Sequence, residues 1–326
     1  MTSVLSGVLP VLHTPYHDDF SIDFVTLEAE MEFAYACGAD GVVFALASEY
    51  LRLSEDERKQ ITRFLCEKDN GQGSVTISVG AESTLAAVEM ARFAQSCGAS
   101  ALMAIPPLST AAGEGELRKY FAAILNATEI PLVVQDASGY VGKPMTAQFQ
   151  AALFEEFGSR VLFKPEAAPV GPVITTLHEL TANRAQILEG SGGSMLVENF
   201  RRGLAGTMPG TDLLDVIIAL WSALSRDDDA KVYALSPLLC SLLSFATNLD
   251  AFLAIEKHIM QKRGIFKNTL VREPVAFVLD EYMRLEVDRL FDKLQSAAKS
   301  LSRMHSEKVA TLEYWHSKQA EHSPTF

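Results

Sequence analysis

A short apolar run, Val161-Leu-Phe, ends in Lys164-Pro-Glu166. Alternate residues of a strand share a face, so Leu162, Lys164 and Glu166 point one way while Val161, Phe163 and Pro165 point the other. Burial disfavours a charged ammonium, and the neutral amine is the nucleophile that forms an imine with a carbonyl compound. Such an imine is an electron sink: it stabilises the carbanion made when a bond at the neighbouring carbon forms or breaks. The same residues also suit a plainer role, in which the lysine snorkels to water or pairs with Glu166 without reacting. The run by itself leaves both readings open.

Few other residues compete for chemistry. The histidines, His13, His17, His178, His258, His305, His316 and His322, are scattered and form no His-Glu-x-x-His pattern, so no metal site is expected. Cys37, Cys66, Cys97 and Cys240 lack the spacing of a disulfide framework or a zinc cluster, which fits a reducing cytoplasm. His13 and Tyr16 follow the first apolar run and either line a pocket mouth or pack. Gly190-Ser-Gly-Gly193 could turn backbone amides toward a carboxylate or phosphate, or could serve a tight turn. Arg201-Arg202 reads as charge near the C-terminal end of a helix, and Asp227-Asp-Asp229 as a solvated loop.

The elements that must position these residues are legible as repeated βα units. Eight short runs read as strands: 8–14, 41–46, 75–80, 101–105, 132–136, 161–164, 186–190 and 205–208. Their near-continuous apolar character is what a parallel sheet covered on both faces requires. The segments Phe33-Ala-Tyr-Ala-Cys37-Gly and Phe93-Ala-Gln-Ser-Cys97-Gly repeat one helix end and turn, with the glycine suited to a left-handed terminus. Cys37 and Cys97 then read as small packing residues. Ser54-Glu-Asp-Glu57 has the hydroxyl and carboxylate of a capping box, opening a helix expected to run through Cys66. After Met208 amphipathic stretches follow at 212–225, 230–248, 251–261 and 276–300, and the tail from Met304 to Phe326 is charged, with a tip expected to fray. The expected architecture is an α/β (β/α)8 TIM barrel over residues 1–225 with a C-terminal helical appendage over 226–326.

Composition narrows the partner class. There are 41 acidic against 28 basic residues, a net charge of -13, so the surface should repel nucleic acid and anionic membranes and favour small metabolites. No apolar stretch reads as a membrane span, and the first residues lack the pattern of a secretory signal. With 48% hydrophobic residues the chain can bury a large core.

Set side by side, Gly7 to Pro15 with Ser21-Ile-Asp23, Gly38-Ala-Asp-Gly41, Glu49 with Leu53-Ser-Glu-Asp-Glu-Arg58, Val79-Gly80, Ile105-Pro-Pro107, Pro131-Leu-Val-Val, Phe163-Lys164 and Leu188-Glu-Gly190 resemble the dihydrodipicolinate synthase and N-acetylneuraminate lyase family of class I aldolases. The resemblance spans nearly the whole chain. It implies a Schiff-base lysine at Lys164, usually with pyruvate as the carbonyl partner, no cofactor, and a homo-oligomer, commonly a tetramer. It also implies that backbone amides around Ala47 and Ser48 hold the carboxylate of the 2-oxo acid.

The chain departs from that family where protons are moved. Ala47 lacks the hydroxyl of the family's loop, Gln135 replaces a tyrosine beside the imine, and Leu108 replaces a second tyrosine that can reach across subunits, so the assembly could be a tetramer or a dimer. Tyr140 stands near the position of the arginine that holds the synthase's aldehyde, and Gly192 and Gly193 near the acidic residues that hold sialic acid. Neither of those two activities is therefore expected. Glutamine cannot shuttle a proton, though it can hold a carboxylate or hydroxyl. The acid or base is expected from Glu166 or Asp136, with Ala47, Ser48, Gln135, Gly190 and Met208 around the substrate. The expected activity is an aldolase or dehydratase reaction of a pyruvate-like or sugar-derived 2-oxo acid. A silent barrel that binds a metabolite or serves in an assembly is the competing expectation.

Overall fold

The computed structural model describes the backbone of residues 5–321 and the side chains of residues 5–301. Eight parallel strands alternate with helices: β1 (Gly7–Val8), β2 (Gly41–Phe44), β3 (Ser74–Ser78), β4 (Ala101–Ala104), β5 (Leu132–Asp136), β6 (Val161–Pro165), β7 (Gln186–Glu189) and β8 (Gly206–Thr207). Their order, β1-β8-β7-β6-β5-β4-β3-β2, is that of a (β/α)8 barrel. The ring is drawn together after β1, where Val11 bridges both Val43 and Gly210, and the Leu12 amide donates to the Val43 carbonyl at 2.9 Å. The end strands are shorter than the sequence suggests. Pro10 and Pro209 have no N–H to give the ladder, so regular pairing stops at Val8 and Thr207 and continues only as single bonds.

The strand alternation separates two cores. Leu5, Leu9, Val43, Met103, Val133, Leu162 and Leu188 fill the barrel interior. Val42, Ile77, Leu102, Val134, Val161 and Phe163 face the other way, into the layer under the helices. That layer is covered by α1 (Phe24–Cys37), α2 (Glu55–Asp69), α3 (Thr84–Ser96), α4 (Glu114–Asn126), α5 (Ala147–Phe157), α6 (Val170–Leu180), α7 (Leu196–Phe200) and α8 (Leu214–Leu224). The expected caps are present. Glu57 N–H donates to Ser54 Oγ at 3.3 Å while Ser54 N–H donates to the Glu57 carboxylate at 2.8 Å, and α2 runs past Cys66. Gly38 and Gly98 sit at φ 98° and 95°, in the left-handed region where a β-carbon is penalised.

Three further helices follow, α9 (Asp229–Leu243), α10 (Leu249–Lys262) and α11 (Glu281–Glu321). The last begins five residues later than expected and runs well beyond Ser300. Pro274 interrupts the segment before it, and Asp280 caps the true start by accepting from the Met283 amide at 2.8 Å. The tip of the tail, 322–326, lies outside the described residues, so its expected fraying has no structural counterpart here. No helix among the described residues is long and apolar enough to cross a membrane.

One lysine ties α10 to the barrel. Lys257 is 1% exposed and donates to the Thr14 carbonyl at 2.8 Å, the Leu270 carbonyl at 2.6 Å and, more closely still, the Glu49 carboxylate. Glu49 is itself held in the left-handed region, φ 58°, an arrangement that persists only when its surroundings fix it. Burial pulls the Lys257 ammonium down from its ordinary range, and Glu49 opposes that pull. Replacing Lys257 by Met strands the Glu49 charge in the interior, and the expected loss is about 3–5 kcal/mol of unfolding free energy in urea titrations. The double change Lys257→Met with Glu49→Gln should recover part of that loss.

Candidate functional site at the barrel mouth

Parity along β6 decides the site. Because Leu162 is inside the barrel and Val161 and Phe163 are outside, Lys164 must follow Leu162 inward, and Glu166 continues the same face. Lys164 is 4% exposed, and its Nζ lies 3.1 Å from Glu166 Oε1. On the neighbouring strand Gln135 stands in register with Lys164, and its Nε2 donates to Glu166 Oε2 at 2.6 Å. Burial raises the Glu166 carboxyl above its ordinary range, with Lys164 and Gln135 pulling the other way. The carboxylate therefore has one oxygen on the amine and one on a fixed amide.

Glycine makes room for this pair. A β-carbon at Gly190 would lie 2.4 Å from Glu166 Oε1 and 2.5 Å from Lys164 Cε. Neither anion binding nor a tight turn is needed to account for Gly190, since close approach already excludes a side chain.

The cavity over the pair is lined by Ala47, Gln135, Tyr140, Gly190, Met208 and, from α10, Leu249, Phe252 and Glu256. Of the residues expected at the site, the structure thus brings together Lys164, Glu166, Gln135, Ala47, Gly190 and Met208. Asp136 departs from the expectation. Next to inward-facing Gln135 it must face outward, where its carboxylate accepts from the Ser138 amide (3.1 Å) and hydroxyl (2.6 Å) and from the Met145 amide (2.8 Å). It shapes the loop after β5 and does not line the cavity. Ser48 also stands back from the lining. Its amide donates to the Ala45 carbonyl at 2.9 Å, and its hydroxyl donates to the Leu12 carbonyl and accepts from the Ala45 amide.

The α10 residues were absent from the sequence expectation. A signal existed: Glu256 and Lys257 are charged, yet they sit within a stretch whose Leu253, Ile255, Ile259 and Met260 are buried. His13 lies beneath Glu256. Its Nδ1 is 2.7 Å from Glu30 Oε1 and its Nε2 2.9 Å from Glu256 Oε2. Burial opposes a charged ring there, but the two carboxylates prevail and lift His13 to about 10, so both nitrogens carry protons and both donate. Asp212, also buried, is pushed up by burial and by Glu256. Tyr140 stacks edge-on against Phe252 with ring centroids 5.9 Å apart. Burial, then the carboxylates of Glu166, Glu189 and Glu256, raises its phenol, which stays a protonated donor. Among the described residues there is no group of three or more His, Cys, Asp or Glu side chains that could hold a metal ion.

Comparison with known proteins identifies the family and agrees with the fold. A model described as the dihydrodipicolinate synthetase family matches residues 4–294. An L-2-keto-3-deoxyarabonate dehydratase of Azospirillum brasilense is 26% identical over 277 residues, 82% of this chain and 88% of that protein. The crystal structure of dihydrodipicolinate synthase from Rhodopseudomonas palustris superposes with a TM-score of 0.83 at 25% identity, covering 90% of this chain and 99% of the other. A prophage protein of the same family from E. coli K12, solved in complex with pyruvate, superposes at 0.81 over 90% of this chain and 99% of its own, with 20% identity, a likeness of fold.

The His13 cluster gives a testable pH signature. A histidine whose folded pKa exceeds its unfolded value stabilises fully below the unfolded value, and that stability is lost as pH rises through the folded one. Unfolding free energy should therefore decline between about pH 6.5 and about 10 in the wild type. In His13→Gln the protein should be less stable at pH 6 by about 3–5 kcal/mol, and that part of the slope should be missing from denaturation curves.

Proposed function

The chain belongs to the dihydrodipicolinate synthetase family, whose related members are lyases, and from that premise we propose that it works through a Schiff base between Lys164 and a hydroxylated 2-oxo acid. The observation that carries the reading is the buried Lys164–Glu166 contact at 3.1 Å on the floor of the cavity. In so little water an ammonium–carboxylate pair loses most of its solvation, and the neutral amine–acid pair becomes accessible by one proton transfer across that contact. The amine then attacks the ketone carbon, and loss of water leaves a protonated imine.

The following steps need a group that takes and returns a proton. With a raised carboxyl beside the imine nitrogen, Glu166 is suited to remove a proton from C3, giving an enamine. Returning that proton to a hydroxyl at C4 expels it as water, which is the dehydratase outcome. Removing the C4 hydroxyl proton instead breaks the C3–C4 bond and yields an aldehyde and the enamine of pyruvate, the aldolase outcome. In the aldolase case the proton taken from the hydroxyl returns to C3, converting the enamine to the imine, and hydrolysis of the imine frees Lys164 in either case. The Azospirillum relative, a dehydratase of a deoxy sugar acid, favours the first route.

Gln135 and Tyr140 share the work of the missing family tyrosine. Gln135 cannot move protons, but its bond to Glu166 Oε2 aims Oε1 at the amine. Tyr140 supplies a phenolic donor in the cavity wall. That arrangement favours a working site over a silent barrel. Asp136 acts as a positioning residue for the β5 loop, and the Ala47 backbone presents the loop face toward the substrate carboxylate.

Borohydride reduction with pyruvate or a 2-keto-3-deoxy sugar acid should add the reduced ligand mass to the wild type and not to Lys164→Ala. Equal labelling of both would exclude Lys164. Glu166→Gln should still be trapped, with turnover reduced by about 10²–10⁴-fold. As a base Glu166 must be deprotonated, so the acid limb of kcat/KM in the wild type should lie above the ordinary carboxylate range.

A further inference from the structure

Glu256 has a feature that its pairing with His13 does not explain. His13 Nε2 holds Oε2, whereas Oε1 lies against the backbone after β8, where a β-carbon on Gly210 would approach it to 2.5 Å. Glu256 lines the same cavity as Lys164, but on another side. Gly210 follows β8 and bridges Val11, placing Glu256 at the β8–β1 side of the ring, while Lys164 rises from β6 with β7 between. A ligand joined to Lys164 and extended across the mouth would meet Glu256 with its far end.

We infer that Glu256 is a specificity-determining residue whose free carboxylate oxygen accepts a hydrogen bond from a hydroxyl on the 2-oxo acid, beyond the carbon bound to Lys164. A hydroxyl suits this position better than an ammonium group. The imidazolium of His13, shared with Glu30, already offsets part of the Glu256 charge, and Val11, Met208, Leu249 and Phe252 surround the approach with apolar walls that solvate a second cation poorly. Hydrogen bonding to a charged acceptor in such a setting discriminates strongly against a ligand that lacks the donor, because the buried oxygen is then left without a partner. Since α10 carries the residue, the helical region would take part in choosing the substrate, in addition to covering the barrel.

This inference rests on the Schiff-base reading, and one experiment separates the two. Half-saturating concentrations for borohydride trapping are measured with pyruvate, which has no hydroxyl, and with a 2-keto-3-deoxypentonate. Wild type, Glu256→Leu and Gly210→Ala are compared, the last moving the Glu256 oxygen without removing its charge. The wild-type preference for the hydroxylated acid should fall by about 10- to 100-fold in Glu256→Leu and should also fall in Gly210→Ala. A preference unchanged in both variants overturns the role of Glu256 while leaving the imine intact. A purely structural Glu256 would weaken both ligands alike, which also overturns it. Absence of any wild-type adduct would remove both readings together.

Discussion

Lys164 and Glu166 are held almost wholly buried at the floor of the cavity, and the architecture around them is arranged to keep them so. Neighbouring strands put Gln135 and Lys164 in register, Glu166 follows the end of β6 on the same face, and the residue after β7, Gly190, has no side chain at all. Above them α10 closes the mouth with Leu249 and Phe252. Removing solvent strengthens each contact within the site and raises the Glu166 carboxyl beside the amine.

Covering that site requires α10 to sit in one place, and buried charge fixes it there. Lys257 fastens the helix to the loops after β1 and β2 through Thr14 and Glu49, and neighbouring Glu256 reaches His13 and, through it, Glu30 of α1. Successive residues of one helix thus grip different parts of the barrel rim. Partners this deeply buried tolerate no alternative placement of the helix, since any shift would leave ions unpaired in the interior. Apolar packing alone would hold α10 with less positional precision.

The sequence showed the barrel, its eight strands and the shared face of Leu162, Lys164 and Glu166 because all three depend on local periodicity; that this face points inward came from the structure. The first strand, expected to run to Thr14, stops before Pro10, and the last, expected over 205–208, ends at Thr207 before Pro209, because the missing proline N–H groups shorten the ladder. Asp136 was grouped with Gln135 by proximity in sequence, although the same alternation that placed Lys164 and Glu166 together sends adjacent residues to opposite faces. The α10 contribution was only half legible: charges at Glu256 and Lys257 within an apolar helix mark buried polar groups, but not where they go. Glu256 meets His13 across 243 positions of chain, and no local pattern encodes which face of a late amphipathic helix will cover a mouth built by early strands. His13 read equally well as a mouth residue or a packed one. It proves to be buried, and it acts on the mouth through Glu256.

The account turns on which amine is the nucleophile, and α10 holds a second deeply buried lysine for comparison. Peptide mapping of the wild-type protein after reduction with borohydride in the presence of a 2-oxo acid locates the modified nitrogen directly. The predicted result is a single labelled peptide carrying the ligand on Lys164. Label on Lys257, or on surface lysines in proportion to their exposure, would contradict it.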